Sequence, residues 1–123
     1  MTEKKKILVI DDDEYLLLTT RELLEIDGYD VSTHNCGFGT LNKVHEEKPD
    51  LILLDINMPA LSGDRIADML VDKPYSKDIP IVFYSSNDED SLRKQAWNHK
   101  VRGYICKGDP SMLRRKVSHF LKT

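Results

Sequence analysis

Two cysteines, Cys36 and Cys106, are the only thiols in the 123 residues. Their spacing fits neither a disulfide framework nor a CxxC metal or redox motif, so a reduced, cytoplasmic setting is expected. Six glycines and five prolines are too few and too scattered for a collagen-like or low-complexity chain. No apolar run approaches the roughly 20 residues that cross a bilayer, so no membrane span is expected. Lys4-Lys5-Lys6 is followed by a short strand-like run and three acids rather than by the apolar stretch of a signal peptide. Basic charge is not in excess: the formal net charge is −3, which argues against direct, general binding of nucleic acid. His34, His45, His99 and His119 each lack a companion at metal-ligand spacing and read as surface or partly packed side chains.

The remaining composition, 40% hydrophobic and 32% charged, is that of an ordinary globular protein. The length fits a single domain, expected over residues 1–123, with no length left inside it for a DNA-binding or catalytic output domain. Short apolar runs alternate with helix-like segments, the pattern of an α/β fold built on a parallel sheet. Strands are expected at Lys6–Ile10, Tyr29–Thr33, Asp50–Leu54, Pro80–Tyr84 and Gly103–Cys106. Helices are expected near Glu14–Ile26, Gly37–Glu47 and Ser62–Val71, then from an Asn87 cap, and last from Asp109-Pro110, a cap followed by proline at the first helical position. Leu113, Val117, Phe120 and Leu121 form the apolar stripe of that last helix. Right-handed crossovers with helices on both faces make this a doubly wound five-stranded sheet with five helices.

The ends of the strands carry the chemistry. Ile7-Leu8-Val9-Ile10 delivers Asp11, Asp12 and Asp13, and Leu51-Ile52-Leu53-Leu54 delivers Asp55. The carboxyl ends of parallel strands line one crevice, where Ser85 and Lys107 also arrive. Unpaired carboxylates about 4 Å apart repel by around 4 kcal/mol at an effective dielectric near 20. Such a cluster must protonate, pair with a cation or bind a metal. Hard oxygen donors without sulfur or imidazole select Mg²⁺ or Mn²⁺ over zinc. A hydroxyl and an ammonium complete a site suited to a phosphoryl group, with the central Asp55 as the nucleophile. Asp13 reads as a helix cap.

Ile7-Leu8-Val9-Ile10-Asp11-Asp12-Asp13, Leu53-Leu54-Asp55-Ile56-Asn57-Met58-Pro59, Ile81-Val82-Phe83-Tyr84-Ser85-Ser86 and Gly103-Tyr104-Ile105-Cys106-Lys107 together resemble the receiver domain of bacterial response regulators, in the manner of the chemotaxis regulators. The resemblance runs over essentially the whole chain, in order. It implies the flavodoxin-like strand order 2-1-3-4-5. It implies that Asp55 accepts a phosphoryl group from the phosphohistidine of a sensor kinase or phosphotransfer protein. Asp12, Asp55 and the Asn57 backbone carbonyl would ligate Mg²⁺, with Asp11 holding a metal-bound water. Lys107 would pair with Asp55 and then with the phosphoryl oxygens. Ser85 would shift towards the phosphoryl group and let Tyr104 turn inward, a population shift that changes a protein-binding surface.

The chain departs from the family at Ser85, where threonine is commoner, at Ser86 in place of alanine, and at Gly108, which follows Lys107 where proline is usual. The expected output surface is the fourth helix, fifth strand and fifth helix. There Lys94, Lys100, Arg102, Arg114 and Arg115 give a basic tilt and Trp97 is expected half-exposed at the core edge. A phosphorylation-dependent homodimer fits the same resemblance. Two other readings compete. One is a receiver-like scaffold that binds proteins without switching. The other is a phosphatase of the haloacid dehalogenase type with Asp11 as nucleophile, in which Asp55 would have no role.

Overall fold

The computed structural model describes residues 3–122. Met1, Thr2 and Thr123, included in the expected domain, lie outside the described residues. Ten elements alternate: β1 Lys6–Ile10, α1 Glu14–Ile26, β2 Asp30–His34, α2 Thr40–Glu47, β3 Leu51–Leu54, α3 Gly63–Leu70, β4 Ile81–Ser85, α4 Glu89–Asn98, β5 Gly103–Cys106 and α5 Pro110–Leu121. The strands form one parallel sheet in the order β2-β1-β3-β4-β5, the flavodoxin-like arrangement.

Strand alternation sorts the core into two layers. Leu8, Ile10, Ile52, Leu54, Ile81 and Phe83 face Val44, Ile66, Leu70, Leu92 and Ala96 from α2, α3 and α4. Ile7, Val9, Leu51, Leu53, Val82, Tyr84 and Ile105 face Leu17 and Leu24 of α1 and Leu113 and Val117 of α5. Each large side chain taken fully out of water contributes about 1.5–3 kcal/mol before the entropy of ordering it. The apolar runs therefore have no polar face because both sides of each central strand are covered.

Helix starts follow local chemistry. Asp13 caps α1, accepting the Leu16 N–H at 3.1 Å. Asp109 caps α5, accepting from Ser111 and Met112 ahead of Pro110's fixed φ. The cap of α4 is Asp88 rather than Asn87. Asp88 accepts the Ser91 N–H at 3.0 Å and the Ser91 hydroxyl at 2.9 Å, while the Asn87 side chain is engaged by Asn57 and Gln95 instead. Helix α2 starts at Thr40, three residues later than the expected Gly37, because Gly39 adopts the left-handed backbone at φ 81°. Strands β2 and β4 each start and end one residue later than expected, at Asp30–His34 and Ile81–Ser85. Trp97 is 84% exposed rather than half-exposed, because the face of α4 that packs is the Leu92–Ala96 row.

Candidate functional site

Register decides which acids meet. Ile10 of β1 pairs with Leu54 of β3, and the Asp55 N–H donates to the Ile10 carbonyl at 2.9 Å. Asp11 and Asp55 therefore leave adjacent strands side by side. Asp11, Asp12 and Asp55 bring carboxylate oxygens within 4.8 Å of one another, the one such group among the described residues. Asp11 is 1% and Asp55 4% exposed, whereas Asp12 is open to solvent.

Lys107 arrives from the end of β5, where its N–H donates to the Ser85 carbonyl at 2.9 Å. Its Nζ lies 2.7 Å from Asp11 Oδ2 and 3.5 Å from Asp55 Oδ1. Both oxygens are buried, and among the described residues the Lys107 ammonium is the charged group that faces them. The other Asp11 oxygen accepts the Asp13 N–H at 2.9 Å. Nζ also sits 5.8 Å from the centre of the Tyr84 ring, a cation–π contact.

Burial and, after it, the Asp11 carboxylate push the Asp55 carboxyl above its usual value, while Lys107 and the Asn57 backbone N–H pull the other way. Burial acts to lower the Lys107 ammonium, but the Asp11 and Asp55 carboxylates outweigh it and hold the group above its usual value. Three carboxylates against one ammonium leave a formal charge of −2. All donors are oxygens and carry more negative charge than the one ammonium offsets, so the residues fit a hard divalent cation.

Ser85 belongs to the other side of the sheet. Alternation along β4 groups it with Ile81 and Phe83, towards α3 and α4. Its hydroxyl is fully buried and accepts from Asn57 Nδ2 at 3.4 Å and from the Asn87 N–H at 3.2 Å. Tyr104 shares that side, packed at the edge of the same core layer. Its ring lies 4.7 Å from Lys116 Nζ and 5.9 Å from the Arg93 guanidinium, and its hydroxyl donates to Glu89 at 3.2 Å. The expected residues thus form two neighbouring groups: Asp11, Asp12, Asp55 and Lys107 in one, Ser85, Asn57 and Tyr104 along the other.

The basic tilt is partly consumed internally. Arg114 makes a two-pronged ion pair with Asp27 at 2.6 and 2.9 Å. The Lys107–Gly108 bond is trans, and Gly108 takes φ +113°, a backbone that the usual proline cannot adopt. Glycine replaces proline there and re-routes the turn that carries Lys107.

Sequence reasoning missed two supports. A Cβ on Gly63 would meet the Asp55 carbonyl oxygen at 1.9 Å, so the start of α3 presses on the backbone of the acid itself. A glycine at a helix start, where no C-cap is needed, was the available signal. Tyr84 carried none, since an aromatic late in an apolar strand looks like plain core.

The sequence model of the response regulator receiver domain matches residues 7–118. The chain belongs to that family. The receiver domain is 31% identical over 94 residues to the polar-differentiation response regulator DivK of Brucella anthropi, covering 73% of this chain and 76% of that protein. It is 40% identical over 86 residues to PhoP of Bacillus subtilis, a transcriptional regulatory protein of alkaline phosphatase synthesis. That match covers 70% of this chain but 35% of the relative, so the domain spans about a third of PhoP. Its fold superposes on chemotaxis protein CheY4 of Vibrio cholerae with a TM-score of 0.89 at 22% identity, over 97% of this chain and all of the other. TrrA of Thermotoga maritima, solved in complex with Mg²⁺-BeF, gives 0.84 at 30% identity over 95% and 99% of the two chains. Receiver domains are signalling modules that interact with histidine kinases and output partners. Among the described residues no helix is long and apolar enough to cross a membrane.

Proposed function

We propose that this receiver domain, one domain over residues 1–123, is the phosphoacceptor of a cytoplasmic two-component relay. Asp55 takes the phosphoryl group from the phosphohistidine of a sensor kinase or phosphotransfer protein. An Asp55 carboxylate oxygen bonds to phosphorus as the P–N bond breaks, and the imidazole nitrogen leaves with that electron pair. The observation that carries this reading is the cluster of Asp11, Asp12 and Asp55 carboxylates, with the buried oxygens Asp55 Oδ1 and Asp11 Oδ2 sharing a single ammonium.

Asp11 is the poorer nucleophile because one of its oxygens is held by the Asp13 N–H and the other is in closest contact with Lys107. That favours Asp55 over a phosphatase-type use of Asp11. Asp11, Asp12, Asp55 and the Asn57 backbone carbonyl would hold Mg²⁺, or Mn²⁺ as the alternative hard cation. When bound, it neutralises the carboxylates and the incoming phosphoryl oxygens. Lys107 supplies the second positive charge and pairs with the phosphoryl oxygens after transfer.

Ser85 and Tyr104 form the switch. They lie on one side of the sheet on adjacent strands, with Ser85 registered against Cys106. A phosphoryl oxygen drawing the Ser85 hydroxyl away from Asn57 and Asn87 would loosen the β4–α4 turn against which Tyr104 rests. The surface that reports this change is α4, β5 and α5, which would bind an output partner or a second phosphorylated copy of the chain. The test is labelling with a small acyl phosphate in Mg²⁺. Wild-type protein should take up label that chelation of the metal prevents, and Asp55→Asn should take up none. Label persisting in that variant would overturn the assignment.

A further inference from the structure

We propose that Gln95, in the middle of α4, is a positioning residue that lengthens the life of the phosphoryl group on Asp55 by acting through Asn87 and Asn57. The proposal rests on the reading of Asp55 as the phosphoacceptor. Three side-chain amides connect in series. Asn57 Nδ2 donates to Asn87 Oδ1 at 2.7 Å, and Asn87 Nδ2 donates to Gln95 Oε1 at 3.1 Å. Asn57 stands two residues beyond Asp55, so the series runs from the rim of the acidic site to the helix.

Both ends are anchored. Gln95 lies beside Ala96 and three residues after Leu92, the buried face of α4, so the packed helix fixes its reach. At the other end Asn57 and the Asn87 N–H converge on the buried Ser85 hydroxyl. Asn87 is free for this duty because Asp88 caps the helix. Asn87 and Gln95 are half-buried, while Asn57 is exposed.

Loss of the phosphoryl group requires a water oxygen to bond to phosphorus. The Asp55 O–P bond breaks with its electron pair returning to the carboxylate, phosphate departs, and the surplus proton passes to solvent. A free amide at the rim could orient that water, lending a carbonyl as acceptor. The series spends the amide of Asn87 on its neighbours at both ends and holds Asn57 against Asn87 rather than over the site. α4 thereby governs how long the signal lasts.

The test compares wild type with Gln95→Leu, which removes the acceptor at similar volume, and Gln95→Glu, which keeps it. Decay of label from Asp55 after donor removal is measured together with the side-chain NH₂ resonances of Asn57 and Asn87 in unlabelled protein. Losing one hydrogen bond of ordinary strength should speed decay about 3- to 10-fold in Gln95→Leu and move both NH₂ resonances. Gln95→Glu should stay within about twofold of wild type. Decay in Gln95→Leu at or below the wild-type rate, or Gln95→Glu behaving like Gln95→Leu, overturns the proposal. Absence of label on Asp55 in wild type would instead sink the phosphoacceptor reading, and the NH₂ resonances would still report whether the series exists.

Discussion

At the scale of the residue, Asp55 and Asp11 sit 4% and 1% exposed and share one ammonium between them. Like charges at such separations cost a few kcal/mol, of which Lys107 returns part. The Asp55 carboxyl is raised above its usual 3.8, by burial first and Asp11 second. The folded state then holds its proton to higher pH than the unfolded state does. Stability therefore falls as pH rises from 3.8 through the raised value. Lys107 acts in the same direction in a higher window: it is raised above 10.5, so its contribution is complete below 10.5 and is lost as pH climbs through its folded value. Removing the Asp55 charge should stabilise the metal-free protein. Asp55→Asn at neutral pH, with chelator present, should be more stable than wild type, read as a higher midpoint on thermal unfolding. A lower midpoint would mean that the ion pair with Lys107 outweighs the crowding.

Elements fix where those residues stand, and two contacts between elements are open to test. Gly63→Ala places a methyl group 1.9 Å from the Asp55 carbonyl oxygen, and backbone cannot yield as a side-chain tip can. The cost should be about 3 kcal/mol or more, and denaturant unfolding of the variant measures it. The Arg114–Asp27 pair ties α5 to α1 across 87 residues of sequence. Its hydrogen bonds hold the Asp27 carboxyl below 3.8, and the Ser91 N–H does the same for Asp88. Both contributions are present above 3.8 and disappear as pH falls through the lowered values. Asp27→Asn should therefore flatten the stability profile on the acid side of 3.8 and leave the neutral region parallel to wild type. Element type and order were legible because the apolar runs are short and buried on both faces, and α1 and β5 span the residues expected of them. The α4 cap was not. Asn87 and Asp88 both suit that position, and the tertiary demand on Asn87 from Asn57 and Gln95 decided between them.

For the whole molecule, the sheet order turns two apolar runs 44 residues apart in sequence into neighbours and gathers three acids into a cluster that could hold a metal ion. The acids, Lys107 and their common edge could be read from strand ends alone. Ser85's attachment to the Asn57 side, the exposure of Trp97 and the contact of Gly63 with Asp55 could not, since each depends on which way a side chain leaves its strand or helix. A ligand that binds only the folded chain adds stability in proportion to the logarithm of its concentration over Kd. Mg²⁺ at about 100 times its Kd should therefore add about 2.7 kcal/mol to wild-type unfolding, and Asp12→Ala should lose most of that gain. The most direct measurement is a Mg²⁺ titration followed by backbone amide resonances. Saturable, one-site shifts should centre on Asp11, Asp12, Asp55 and Asn57 and be absent from the far edge of the sheet around Lys77 and Arg102. Shifts centred elsewhere, or none at millimolar Mg²⁺, would contradict a cation site at the ends of β1 and β3.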